Sequence, residues 1–117
     1  MFEHIRGKLI SKNPAYVIVE TTTGIGYIIN VSLNTYSKIE DNAKEVFLFL
    51  HQVIREDAQL LFGFIDEKER KLFRHLINVS GVGANTARMV LSSLEPNQII
   101  EAIVDGNVKT LQGVKGI

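Results

Sequence analysis

Two periods divide this chain. Up to about Phe64, apolar residues alternate with polar ones or run in short β-branched stretches; beyond it they return every three or four positions. In the first half, alternation around Gly7 predicts a strand over Ile5–Ser11, and a short β-branched run predicts another over Tyr16–Glu20. Thr21, Thr22, Thr23 and Gly24 are turn chemistry, after which Gly26–Val31 resumes the strand pattern. Ser32–Ile39 reads as polar and irregular, with Tyr36 as a packing anchor. Glu45–Ile54 predicts a long strand and Leu60–Phe64 a fifth.

The second half is helical. Asp66 and Glu69 have the spacing of a capping box, and Leu72, Phe73, Leu76 and Ile77 form one apolar stripe. Ala87, Val90, Leu91 and Leu94 form a second. Pro96 suits the first turn of a third helix, with Ile99, Ile100, Ile103 and Val104 as its buried face and Gly106 as its stop. Asn107–Leu111 predicts one further short turn. The expected fold class is therefore α+β in two domains. A five-stranded OB-fold β-barrel spans residues 1–64, and an all-α helix-hairpin-helix domain spans 65–117. Closing the barrel removes most of the edge that a small sheet would expose.

The most informative segment is Ser80–Met89, SGVGANTARM, where a Gly-Val-Gly turn separates two amphipathic helices. Gly81 and Gly83 allow a tight bend and close approach of another molecule to the main chain. A helix starting there exposes amides that lack internal partners, and its dipole favours an anion such as a phosphate. This is the pattern of a motif that holds a DNA backbone without reading bases. Ser80, Gly81, Val82, Gly83, Asn85 and Arg88 are the candidate DNA-binding residues of this hairpin. Leu111–Ile117, LQGVKGI, reads as the opening of a second, with Gly113, Lys115 and Gly116 as candidates. Since the sequence ends inside that turn, we expect a following helix in a longer protein.

Composition narrows the classes. The 117 residues are 45% hydrophobic and carry no formal net charge, with 13 basic and 13 acidic side chains. Mean hydropathy of +0.10 suits a packed chain. No apolar run would span a bilayer, and the N-terminus lacks a secretory layout. No cysteine is present, which excludes disulfides and thiolate chemistry and makes a cytoplasmic location the default. Zero net charge argues against indiscriminate nucleic-acid binding and for a few placed groups.

Other constellations weigh less. Glu56 and Asp57, after Arg55, are adjacent carboxylates between two apolar strands. They are a plain polar turn, or a negative point that keeps phosphates away; no third ligand suggests a metal. Gly24-Ile25-Gly26 falls short of a dinucleotide fingerprint. His4, His51 and His75 lack metal-ligand spacing, and Ser80 has no local base. Tyr16, Tyr27 and Tyr36 are better explained by the barrel core than by base stacking. Lys109 lies near the hairpins, with Lys71 and Arg74 as weaker phosphate contacts. No catalytic residue, metal ligand or cofactor is expected, and no phosphate loop for ATP is present.

Val53–Phe64, VIREDAQLLFGF, followed by ERKLFRHLINVSGVGANTARMVL at Glu69–Leu91, together with IRGKL at Ile5–Leu9 and GIGY at Gly24–Tyr27, resembles the RuvA family of Holliday-junction-binding proteins over essentially the whole chain. The resemblance implies a non-catalytic scaffold in recombinational DNA repair. Family members form a flat homotetramer, with an octamer as a larger form on DNA. Each quadrant holds one arm of a four-way junction, gripped along the minor-groove backbone. It also implies that Glu56 and Asp57 act as an acidic pin at the crossover. A hexameric RuvB motor, the ATPase of the helicase complex, would be engaged through a further C-terminal domain, and the RuvC resolvase belongs to the wider assembly. Some members carry lysine at the position of Asn85, so phosphate grip here is expected to rest on amides, with Arg88 as a substitute. A chain ending at Ile117 is expected to tetramerise less well, bind junctions weakly and fail to recruit the motor. The alternative class is a helix-hairpin-helix glycosylase or lyase, for which Asp105 and Lys109 are the only loose candidates. A barrel used only for protein contacts is a third.

Overall fold

The computed structural model describes residues 1–113. Five strands are formed: β1 (His4–Lys12), β2 (Tyr16–Glu20), β3 (Gly26–Val31), β4 (Glu45–Ile54) and β5 (Gln59–Phe64). They close a barrel in the order β1-β2-β3-β5-β4, antiparallel throughout except for the β3–β5 seam. Alternation decides what lies inside. Val17 and Val19 of β2, Ile29 and Val31 of β3, and Val46, Leu48 and Leu50 of β4 are buried together with Ile5. Gly63 sits on the seam opposite Val31, and a Cβ there would stand 2.5 Å from Ile29 Cγ2. Ile29, together with Leu48, whose Cδ1 would lie 3.2 Å away, already fills the space a side chain would need. The five-stranded OB-like barrel followed by helices is thus the architecture that the two periods predict.

Several expectations need correction. Ser32–Ile39 is not irregular: Leu33–Lys38 forms a short helix, α1. Ser32 caps it, its Oγ accepting from the Thr35 N–H at 3.1 Å. Six residues are too few for a helical period to declare itself. Tyr16, expected in the core, is exposed, whereas Tyr27 and Tyr36 do pack against it. Glu69 does not serve as the partner in a capping box. It lies in α2 (Glu67–Ile77), and its carboxylate accepts from Ser32 Oγ at 2.8 Å, from Asn34 Nδ2 at 3.0 Å and from the Thr35 hydroxyl. Thr35 Oγ1 in turn accepts from the Ile65 N–H at 3.2 Å. A buried carboxylate is tolerable only with such donors around it.

Arg70 does the matching work on the next residue. Its guanidinium is buried, donating to the carbonyls of Glu3 (2.8 Å) and Leu50 (3.2 Å) and lying 5.1 Å from the Phe49 ring centroid. It pairs with Glu3 at 2.6 Å and Glu67 at 3.3 Å. Arg70 first, and His4 second, hold the Glu3 carboxyl below its ordinary value. A depressed carboxyl stabilises the fold above the ordinary carboxylate range and loses that contribution as pH falls through its own value. Glu3 is exposed, so solvent screening keeps the effect small.

The chain divides into two compact units, Met1–Arg70 and Lys71–Ile117. The first turn of α2 therefore belongs with the barrel, where Glu69 and Arg70 anchor it. The second unit adds α3 (Ala84–Ser93), α4 (Pro96–Val104) and α5 (Val108–Gln112), which pack on one another. Pro96 occupies the first turn of α4 as expected, reinforced by a capping box of Glu95 and Gln98 that the sequence reading missed. Gly106, with φ +66°, follows the α4 C-cap. The face of α4 is narrower than expected: Ile99 and Ala102 are buried, Ile103 is half-buried, and Ile100 and Val104 are exposed. Ala102 supplies the inward position one turn on, which turns Val104 outward.

Removing the Glu69 acceptor should be costly. Glu69→Ala is expected to lose about 2 kcal/mol in urea denaturation, because buried hydroxyl and amide donors lose their acceptor. Glu69→Gln, which keeps one oxygen, should lose clearly less; equal losses would refute the hydrogen-bonding account.

Candidate nucleic-acid interface

The hairpin is built by running out of helix. At the end of α2 the Asn78 and Val79 amides reach back to His75 O (3.2 Å) and Leu76 O (3.0 Å). The chain then reverses through Gly81, whose φ of +87° lies in the left-handed region that side chains avoid. Val82 folds inward and is buried, and its N–H is taken by Val79 O at 3.0 Å. Val82 is thus the apolar anchor of the turn, with its N–H already paired.

Gly83 is the N-cap of α3, extended at φ −87° and ψ 173°. A serine or aspartate cap would consume one of the first amides; glycine offers no side chain, and no side-chain cap bond is made. The first intrahelical bond is Ala87 N–H to Gly83 O at 2.9 Å, so the amides of the turn before it have no acceptor within the helix. Space above Gly83 is open, with no heavy atom within 4 Å of where a Cβ would stand. Ser80 and Asn85 are exposed on either side. The result is a set of main-chain donors without helical acceptors at the positive end of a ten-residue helix, beside the open space at Gly83.

Arg88 brings the cation. It is half-buried on the next turn of α3, and Asn85 Oδ1 accepts from its Nε at 3.3 Å and its Nη2 at 3.0 Å. Burial lowers the Arg88 pKa from its ordinary value, yet a guanidinium stays protonated at neutral pH. Asn85 thus serves the cation as an acceptor, and need not itself meet a phosphate.

Of the second set of candidates, Gly113 is the C-cap of α5, with a right-handed φ of −75°. Lys115 and Gly116 lie outside the described residues. One residue that sequence reasoning missed is Gln112, whose side chain reaches the first hairpin; no local pattern links positions so far apart. Asn107, also unassigned beforehand, caps α5 by accepting from the Thr110 N–H at 3.2 Å.

In the barrel unit, Glu56 and Asp57 are exposed at the β4–β5 turn, which is closed by an Arg55 N–H to Ala58 O bond of 2.7 Å. Neither makes an ion pair among the described residues. Asp105 and Lys109 are both exposed, as the C-cap of α4 and within α5. Among the described residues no group of three His, Asp or Glu side chains could hold a metal ion.

The described residues thus combine a closed five-stranded barrel with a helical unit in which a Gly-x-Gly hairpin opens α3. The RuvA N terminal domain matches residues 1–63, and the SAM-like helix-hairpin-helix tandem matches 73–117. The chain belongs to the RuvA family. It is 51% identical over 117 residues to a protein of Christiangramia forsetii named Holliday junction branch migration complex subunit RuvA. Proteins of the same name from Flavobacterium psychrophilum and Azobacteroides pseudotrichonymphae are 48% and 51% identical over 117 residues. In all three pairs the whole of this chain is matched, and it spans 59–60% of the relative's length. The glycosylase alternative finds no support in this family.

The two hairpin glycines should respond differently to substitution. Gly81→Ala is expected to cost about 1–2 kcal/mol, since it forces a side chain into left-handed backbone. Gly83→Ser should stay within about 0.5 kcal/mol, because serine is a good N-cap and has room. Denaturant titrations of the two variants check this contrast.

Proposed function

We propose that this chain is the junction-binding part of a non-catalytic scaffold that holds four-way DNA for branch migration. The observation that carries the reading is the uncapped start of α3 at Gly83, open to the outside and flanked by Arg88. Main-chain donors bind phosphate oxygens without regard to base order. A junction that must slide needs that indifference. The relatives' shared name, a branch migration complex subunit, supports the same reading.

In this proposal, residues 1–64 and 65–117 divide the labour. The second part grips duplex arms through Ser80, Gly81, Gly83, Asn85 and Arg88, with Gly113, Lys115 and Gly116 in a second hairpin. The first carries the acidic pin. Glu56 and Asp57, exposed and outside any ion pair among the described residues, repel strand backbones at the crossover and favour an open junction. Four copies around one junction multiply a weak hold and match its symmetry, with an octamer as the larger assembly. ATP hydrolysis belongs to a RuvB hexamer recruited by a further domain, and the RuvC resolvase acts on the same junction. The location is cytoplasmic; among the described residues no helix is long and apolar enough to cross a membrane.

Binding to a synthetic four-way junction should exceed binding to linear duplex of equal length, measured by fluorescence anisotropy; equal affinities would sink the proposal. Arg88→Gln should weaken binding and reduce the slope of log K against log salt by about one unit. Glu56→Gln with Asp57→Asn should keep or raise junction affinity, and a large loss would contradict a repulsive role.

A further inference from the structure

We infer that Gln112 is a positioning residue for the first hairpin, tying it to the helix that leads into the second glycine-rich segment. The inference rests on the backbone-gripping reading above and adds a residue outside the hairpin motif. Gln112 Nε2 donates to the Gly81 carbonyl at 2.7 Å, across 31 positions of sequence. The same nitrogen lies 2.6 Å from where a Gly81 Cβ would stand. Glycine at 81 therefore does two things: it permits φ +87°, and it leaves the space through which Gln112 arrives.

The consequence follows from the planarity of one peptide. The carbonyl of Gly81 and the N–H of Val82 belong to the same rigid unit and point in opposite directions. Gln112 holds the carbonyl edge, and Val79 O holds the N–H edge at 3.0 Å. With both edges held, the plane cannot rotate, and the direction in which the chain enters Gly83 is set. The open amides that follow Gly83 inherit that direction. Gln112 is itself presented from a firm base: its neighbour Leu111 is fully buried, and Asn107 caps the start of α5. The helix carrying Gln112 ends at Gly113, where the second glycine-rich segment begins. One side chain thus links the first hairpin to α5.

Gln112→Met keeps length and bulk but removes the donor. In the free full chain, amide hydrogen exchange at Val82, whose N–H is accepted by Val79 O, should quicken in this variant, while the far-UV spectrum stays unchanged. Affinity for a synthetic four-way junction should fall about fivefold, the loss of one hydrogen bond. In a double-mutant cycle with Gly81→Ala, the double variant should bind no worse than Gly81→Ala alone, because Gln112 acts only through that carbonyl. Unchanged exchange and affinity in Gln112→Met would overturn the inference. Additive losses in the cycle would also overturn it, since they would mean that Gln112 meets DNA directly. If the unmodified chain shows no preference for the junction, the functional proposal fails, while hydrogen exchange in the free protein still decides the role of Gln112.

Discussion

A helix that begins on glycine spends no side chain on its first amides. That constraint governs the second unit. An N-terminal turn has donors that the helix cannot satisfy, and most sequences spend a side chain on them. Here α4 does so through Glu95 and Gln98, and α5 through Asn107. The start of α3 does not, and space is left over Gly83. Among the described residues, the start of α3 thus differs from those of α4 and α5 in spending no side chain on its amides. Everything around it keeps that start in place: buried Val82, the held peptide after Gly81, and Ala87, which is completely buried on the following turn.

Carboxylates show the same contrast in the barrel unit. Glu69 is buried and surrounded by the donors of Ser32, Asn34 and Thr35, so its charge is spent on holding the first turn of α2. Glu56 and Asp57 are exposed on a tight turn and make no ion pair among the described residues. Arg70 and Arg88 divide similarly. Arg70 is committed to two carbonyls and two carboxylates, whereas two of the Arg88 nitrogens donate to the neutral Asn85 Oδ1. In a chain of zero net charge, any local field comes from placement of this kind.

The barrel and the helices were legible because their signals are local and repeated. Period-two runs in Tyr16–Glu20 and Glu45–Ile54, and the period near 3.6 after Glu67, set what each element can bury. The glycine hairpin was equally legible, since Gly81 at φ +87° expresses a freedom that only glycine has. What escaped was either too short or too distant. Six residues of α1 hold too few turns to show a stripe. Glu69 has the spacing of a cap, and only folding shows that α1 offers it better partners. Val104 looks buried by periodicity, but Ala102 takes the inward position.

The order of residues by itself determined the strands, the helices, the glycine bend and the exposed acidic tip, because each depends on backbone preference and side-chain period over a few neighbours. Tertiary structure alone decided which donors remain open, which carboxylate is enclosed, and that Gln112 meets Gly81. Those outcomes depend on groups 31 or more positions apart being brought within hydrogen-bonding distance, and no local preference encodes such a meeting.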